Sequence, residues 1–144
     1  MRIPDRSDWG HIDPMDLDGN HALKIFFRKT FEEARSFFEQ NSLCYYEDLI
    51  SMPKVPFEFY APAYVEYLKS SKGQSDSDAA SCFLSMLLQV LKVDRERITG
   101  DTEKLLLETA AYIARNQKQF GAETYIYGDF SEKLDEIQRL AGQI

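Results

Sequence analysis

The amino-acid sequence predicts an all-α protein, a single-domain bundle of five or six helices with a polar N-terminal arm. Three observations predict this fold class. Apolar residues recur every three or four positions through most of the chain after residue 20, which is the spacing of one helix face. Helix-capping patterns precede several of these segments. The sequence contains no pair of alternating strands joined by a hairpin turn.

Two regions are expected along the chain. Residues 1–20 form a polar, acidic N-terminal arm, and residues 21–144 form a single α-helical domain. The length of 144 residues suits one domain. Hydrophobic residues make up 44% of the sequence and charged residues 28%, which is a globular composition rather than that of a disordered chain.

The first helices follow this arm. We expect a short helix over 22–28 and a second over 31–40, with a single long helix as the alternative. The sequence TFEE favours two helices, because Thr30 can cap the second one while Glu33 bonds back to it. The stretch SLCYYEDLIS adds one or two helical turns, which the prolines of MPKVP end.

Two helices are predicted in the middle of the chain. Residues 57–71 carry a stripe of tyrosines, and Pro62 inside that stripe indicates either a helix start or a kink. Residues 78–93 are apolar around most of the helix surface, which is typical of a helix at the centre of a core. Ser77 or Asp76 is its expected N-cap.

The C-terminal third predicts two more helices. A long helix over 102–119 is expected to have Gly121 as its C′ residue. The segment ETYIYGD is consistent with a short extended stretch. A last helix over 130–141 begins after a cap at Asp129 or Ser131.

Charge and composition limit the function. The net charge of −7 and the pI near 4.8 argue against a nucleic-acid-binding protein and favour a basic partner. The first residues, MRIPDRSDWGHIDP, lack the apolar run of a signal peptide, and no later run is long enough to span a membrane. We therefore predict a cytoplasmic protein without membrane association. Cys44 and Cys82 are expected to be buried, reduced thiols.

The stretch DPMDLDGN, residues 13–20, raises the question of a metal site. With Gly19 at position 6 of an EF-hand loop, positions 1 and 12 become Pro14 and Ile25, which carry no side-chain oxygen. A looser zinc or manganese site would have to use the whole local set of possible ligands. These residues are His11, Asp13, Asp16, Asp18 and His21.

A simpler interpretation of the same stretch is an acidic loop leading into a helix. Asp16 or Asp18 would make an Asx turn, Gly19 would supply a positive φ, and Asn20 would cap the next helix. We favour this interpretation and predict neither a metal nor a cofactor. A metal-dependent hydrolase remains an alternative.

The densest chemical feature is aromatic. Twelve of the eighteen Phe and Tyr residues fall between Phe26 and Tyr67. Neighbours such as Tyr45 and Tyr46 diverge by about 100° around a helix, so both cannot face one core. Tyrosines interleaved with carboxylates are typical of a surface that binds a basic protein. The predicted surface consists of Tyr45, Tyr46, Glu47, Asp48, Glu58, Tyr60 and Tyr64. The alternative is that the rings are buried and only the hydroxyls are wet.

Catalysis finds less support in the sequence. Both histidines lie near the N-terminus, and no nucleophile elbow or phosphate-binding loop is present. The carboxylate pairs Glu32–Glu33 and Glu47–Asp48 are adjacent and point to different helix faces, which is poor geometry for an acid and a base. An enzyme is therefore the less favoured interpretation.

Part of the sequence resembles a group of small bacterial cytosolic proteins. The resemblance runs from FFRKTFEEARSFFEQNSLCYYEDL through MPKVPFEFYAPAYVEYLKS to SDSDA, about Phe26 to Asp78. No activity is established for that group, so it implies no site residues. In composition alone the chain is similar in character to bacterial immunity proteins, which neutralise basic nuclease toxins.

Together these features predict a small, acidic, cytoplasmic protein-binding module, of the immunity or antidote type, that engages a basic partner. The alternatives are the metal-dependent hydrolase and an oligomeric structural protein whose aromatic residues are buried between identical chains.

Overall fold

The structure, a computed structural model, describes residues 2–142, and within that range it is all-α without strands. The predicted fold class is confirmed, while two single-turn helices raise the number of helices to eight in the described part. These are α1 (Arg6–Trp9), α2 (Leu17–Phe26), α3 (Phe31–Ile50), α4 (Lys54–Lys69), α5 (Ser77–Val93), α6 (Gly100–Arg115), α7 (Thr124–Tyr127) and α8 (Phe130–Leu140). The outer ends of the predicted regions, residues 1 and 144, lie outside the described residues.

The N-terminal residues pack against the helices that follow. Asp5 caps α1, and Trp9 at the end of this helix is only 2% exposed, with its ring centroid 6.5 Å from that of Tyr60. Helix α2 begins at Leu17, so the predicted boundary between residues 20 and 21 falls inside a helix.

The predicted start of α3 is confirmed. The Thr30 hydroxyl oxygen accepts a hydrogen bond from the amide of Glu33 at 3.1 Å, and Glu33 Oε1 accepts one from the amide of Thr30 at 3.0 Å. The helix continues to Ile50, ten residues beyond the predicted end, because SLCYYEDLI prolongs it past a local break at Asn41. Its C-terminal half carries residues of the predicted partner-binding surface.

Helix α4 lies at the centre of the bundle. Ten of its sixteen residues are buried, and it packs against α3, α6 and α1. It begins at Lys54, three residues before the predicted start, since a proline in the first turn, here Pro56, loses no helical hydrogen bond. Pro62 lies inside the helix rather than at its start.

The bundle is completed by α5, α6 and α8. Asp76 caps α5 by accepting a hydrogen bond from the amide of Ala79 at 3.0 Å, and α5 packs against α3 and α8. Helix α6 ends at Arg115, four residues before the predicted end, so Gly121 is not its C′ residue. The predicted cap Asp129 is confirmed at the start of α8.

The prediction that ETYIYGD is an extended stretch is wrong. Residues 124–127 form the single-turn helix α7, in which the amide of Tyr127 bonds the carbonyl of Glu123 at 2.9 Å. Gly128, with a φ of +78°, ends the turn.

Among residues 2–142, no helix combines the length and the apolar character needed to cross a bilayer.

Candidate functional site

An open cleft of about 320 Å³ lies between α2, the C-terminal half of α3 and α5, and we refer to it as the acidic cleft. Residues 44, 47, 48 and 51 share one face of α3, because they are spaced three or four apart. Asp18 and His21 of α2, spaced three apart, lie opposite that face of α3. The lining consists of Asp18, His21, Cys44, Tyr46, Glu47, Asp48, Ile50, Ser51 and Gln89.

A histidine–carboxylate contact joins the two sides of this cleft. His21 Nδ1 on α2 lies 2.7 Å from Asp48 Oδ1 on α3. The histidine side chain is 58% exposed, whereas the Asp48 side chain is 6% exposed. The imidazole therefore stands at the surface, and the carboxylate lies below it.

The second oxygen of the same carboxylate has no partner. Asp48 Oδ2 is shielded from solvent and makes no hydrogen bond in the structure. Burial raises the pKa of Asp48, the contact with His21 lowers it, and the nearby carboxylates of Glu47 and Asp18 raise it further. A buried acceptor of this kind is costly for the folded protein, because its lost hydration is not replaced.

Tyr46 forms a half-buried part of the lining. Burial raises the pKa of its hydroxyl, and the neighbouring Cys82 and Glu47 act in the same direction. Its ring thus presents a partly apolar surface beside the carboxylates.

The acidic cleft is chemically suited to a cation. Asp18, Glu47 and Asp48 bring three carboxyl groups to it, and none of its lining residues in the described chain is lysine or arginine. An incoming positive charge would meet the exposed carboxylates of Asp18 and Glu47. This arrangement can bind a basic group.

Two residues of the predicted partner-binding surface lie in the core instead. Tyr60 and Tyr64 are both 0% exposed, so a partner cannot contact them and this part of the prediction is wrong. The Tyr60 hydroxyl lies 2.8 Å from the carbonyl oxygens of both Phe26 and Lys29 and shares its single proton between them. The Tyr64 hydroxyl donates to the carbonyl of Ala79 at 2.6 Å. The packing of α4 explains the error, since only a narrow stripe through Glu58, Pro62 and Glu66 faces outward, and Tyr60 and Tyr64 lie on the buried side.

The other five residues of the predicted partner-binding surface lie in three different places. Tyr46, Glu47 and Asp48 line the acidic cleft. Tyr45 is half-buried and its ring stacks on that of Phe37, with centroids 5.0 Å apart. Glu58 lies on α4 away from the cleft and pairs with Lys54 at 3.6 Å.

The candidate metal ligands are not brought together. His11, Asp13 and Asp16 line a different cleft from Asp18 and His21, and no group of three possible ligands within residues 2–142 has metal-binding geometry. The structure therefore gives no support to the metal-dependent hydrolase.

Residues 13–20 form an acidic loop that leads into a helix, as we favoured, but the roles of the individual residues differ from the prediction. Asp16 caps α2 by accepting a hydrogen bond from the amide of Gly19, and Asp13 accepts one from the amide of Met15 as in an Asx turn. Gly19 lies inside α2 without a positive φ, and Asn20 is not the cap. A Cβ at position 19 would overlap the Asp16 carboxylate, so a larger residue there would displace the side chain that caps α2.

The cysteines also differ from the prediction. Cys44 is exposed at the acidic cleft and accepts a hydrogen bond from Asn41, while Cys82 is half-buried. Burial raises the pKa of Cys82 to about 11, and Asp78 and Asp76 contribute to that rise. Both thiols are free, as predicted.

Sequence reasoning missed four lining residues of the cleft, which are Cys44, Ile50, Ser51 and Gln89. The spacing of Cys44, Glu47, Asp48 and Ser51 could have indicated one helix face. The approach of His21 to Asp48 joins positions 27 apart, and nothing local in the sequence indicates it. Asp18 and Gln89 reach the cleft through the same packing of helices.

The fold and the cleft define a small all-α protein with an open cleft lined by three carboxylates. Comparison with protein families, curated proteins and solved structures finds no match to this chain.

Proposed function

We propose that this protein is a binding module that engages a basic partner protein through the acidic cleft. The observation that carries the proposal is that three carboxylates, Asp18, Glu47 and Asp48, line one open cleft whose described lining contains no lysine or arginine. A cation that enters the cleft would make charge-assisted hydrogen bonds with the exposed carboxylates of Asp18 and Glu47.

The charge of the whole chain supports the same proposal. The net charge of −7 attracts a basic protein over a distance and accelerates its association. Neutralising a basic protein in the cytoplasm is what an antidote of the immunity type does. We extend the proposal to that role, in keeping with the similarity in composition between this acidic chain and bacterial immunity proteins.

The corrected positions of Tyr60 and Tyr64 narrow the proposed surface. Its members are now Tyr46, Glu47 and Asp48 of the predicted set, with Asp18 and His21 added from α2. The alternative of an oligomeric structural protein loses support, because several aromatic residues assigned to its interfaces are internal.

Affinity capture from the lysate of the source cells tests this function. The wild type, Asp18→Asn with Glu47→Gln, and Glu132→Gln with Asp135→Asn are compared at low and high salt. Both double variants change the net charge equally, and the second pair lies exposed on α8 outside the cleft.

We expect the wild type and the α8 variant to retain the same basic protein at low salt, and the cleft variant to lose it. High salt should release the protein, because exposed charges are screened. Equal retention by both double variants would contradict the use of the acidic cleft, and retention of no basic protein would contradict the proposed function itself.

A further inference from the structure

We infer that the cleft lined by His11, Asp13 and Asp16 docks a basic amphipathic helix of the partner protein. This inference rests on the proposed function and specifies the structural element by which the partner binds. The cleft is open, has a volume of about 510 Å³, and we refer to it as the docking cleft. It shares Ile50 and Ser51 with the acidic cleft, so the two clefts adjoin each other at the C-terminal end of α3.

Much of the docking cleft is apolar. Its apolar lining residues are Trp9, Ile12, Ile50, Met52, Pro53 and Val93. Trp9 and Met52 are buried and form the floor, whereas the other four are half-buried or exposed and form the walls. An apolar side chain that enters this cleft would leave water for an apolar surface, which favours binding.

Strongly exposed apolar side chains accompany this cleft. Val93, at the end of α5, lines it and is 71% exposed. Met15 and Leu17 flank the lining residue Asp16 in the chain and are 85% and 78% exposed. Single exposed apolar side chains are common on proteins, but several of them at one cleft are typical of a surface that a partner covers.

The polar rim of the docking cleft is acidic. Asp13, Asp16 and Asp94 line it with exposed side chains. Arg97 is the single arginine or lysine in its described lining, and it is only 7% exposed. Its Nη1 donates to two backbone carbonyls at 2.6 and 2.7 Å, and its Nε lies 3.3 Å from Asp94 Oδ2. The charge of Arg97 is thus directed into the protein, and the exposed rim attracts cations.

An acidic rim around an apolar floor fits a segment with one apolar stripe and basic flanks. A helix provides this arrangement, because residues three and four apart share a face. It also satisfies its own backbone hydrogen bonds, whereas an extended segment gains them most readily at the edge of a sheet, and residues 2–142 contain no strand. A second copy of this chain fits less well, because its net charge of −7 would be repelled by the rim.

Two peptides of identical composition test the inference. Each has about 14 leucine and lysine residues, roughly four helical turns. The leucines share one helix face in the amphipathic peptide and are spread evenly around the helix in the permuted peptide. Both are titrated into the ¹⁵N-labelled protein, and the indole N–H signal of Trp9, the only tryptophan, is followed with the amide signal of Val93.

We expect the amphipathic peptide to shift both signals and to bind at least about tenfold more tightly than the permuted peptide. The two peptides carry the same charge, so this difference measures the contribution of the apolar stripe. Equal affinity of the two peptides, or no binding of the amphipathic one, would overturn the inference.

Variants at exposed positions locate the binding. Met15→Ser with Val93→Ser removes two apolar side chains at the docking cleft without changing the net charge. Tyr125→Ser with Ile126→Ser is the matched control on α7, outside the cleft. All four side chains are exposed, so both proteins should fold. The first variant should bind the amphipathic peptide about tenfold more weakly, and the control should bind it as the wild type does. Equal affinity in the two variants would overturn the inference.

Light scattering tests the competing occupant, a second copy of this chain. We expect a monomer in the wild type and in both variants. A wild-type dimer that Met15→Ser with Val93→Ser dissociates would assign the docking cleft to a second copy and would overturn the inference.

The proposed function and this inference fail in different ways. If a basic protein is captured through the acidic cleft but the two peptides bind equally, the function stands and the helix inference is wrong. If the amphipathic peptide binds at the docking cleft while no basic protein is captured, the preference of the cleft stands and the proposed function is wrong. If neither peptide binds and no basic protein is captured, both are wrong.

Discussion

His21 and Asp48 meet across the acidic cleft, with Nδ1 of the histidine 2.7 Å from Oδ1 of the carboxylate. The other carboxylate oxygen, Oδ2, is buried without a hydrogen bond. One side chain therefore combines a satisfied and an unsatisfied acceptor. The second acceptor lowers the stability of the folded protein, because the hydration that it loses is not replaced.

The pH dependence of stability should reveal the buried carboxylate. Burial raises the pKa of Asp48, so the unfolded chain loses this proton at lower pH than the folded protein does. Above the ordinary aspartate range the folded state is penalised, and Asp48→Asn should gain stability relative to the wild type as the pH rises from 4 to 7. Urea unfolding followed by circular dichroism at each pH measures this difference. A constant difference between the two proteins would contradict the raised pKa, and Glu132→Gln serves as an exposed control.

The Tyr60 hydroxyl should contribute measurably to stability. It donates to the carbonyls of Phe26 and Lys29 at the end of α2, which ties that helix to α4. Tyr60→Phe should lower the free energy of unfolding by about 1–2 kcal/mol, because these carbonyls lose a buried donor. The matched control is Tyr125→Phe at a ring that is 83% exposed, which should change it by less than about 0.5 kcal/mol. Equal effects in the two variants would contradict the assigned hydrogen bonds.

Stability should fall steeply above pH 10. Burial raises the pKa of Tyr60 to about 12 and raises those of Tyr64 and Tyr67 as well, the latter also through its hydrogen bond to Asp76. Unfolded tyrosines ionise near pH 10, so each of the three favours unfolding by up to about 1.4 kcal/mol per pH unit above that value. Urea midpoints at pH 9, 10 and 11 test this, and Tyr60→Phe should flatten the decline. A midpoint independent of pH over this range would refute the assignment.

The two thiols should react at different rates. Cys44 is exposed, whereas Cys82 is half-buried and has a pKa raised to about 11, which leaves roughly one part in a thousand as thiolate at pH 8. Reaction of the native protein with an aromatic disulfide reagent should release one equivalent rapidly and a second one at least about tenfold more slowly. Cys44→Ser should abolish the rapid phase. Two equally fast thiols would show that Cys82 is not protected.

Local sequence patterns predicted much of the fold. The apolar pattern of 78–93 predicted α5 to within one residue, and TFEE predicted the reciprocal Thr30–Glu33 cap. Both depend on interactions within a few residues, which the sequence displays directly. The ETYIYGD segment was predicted incorrectly because one helical turn is too short to show a helical period.

The site was only partly predictable, because its geometry arises between helices. The stretch YYED supplied three cleft residues, Tyr46, Glu47 and Asp48, from local sequence alone. Tyr60 and Tyr64 carry the same tyrosine–carboxylate pattern, yet they are buried because α4 occupies the centre of the bundle. Which tyrosines face solvent depends on which helix is central, and that is decided by the packing of the whole chain.

The most direct test of the account is the affinity of an arginine-rich peptide for the wild type and for Asp48→Asn, measured by isothermal titration calorimetry at low salt. Glu132→Gln is the control with an equal change in net charge. The account predicts binding to the wild type and to Glu132→Gln with the same affinity, and a loss of about tenfold or more in Asp48→Asn. Equal affinity for all three proteins would show that only overall charge matters and would contradict the assignment of recognition to the acidic cleft.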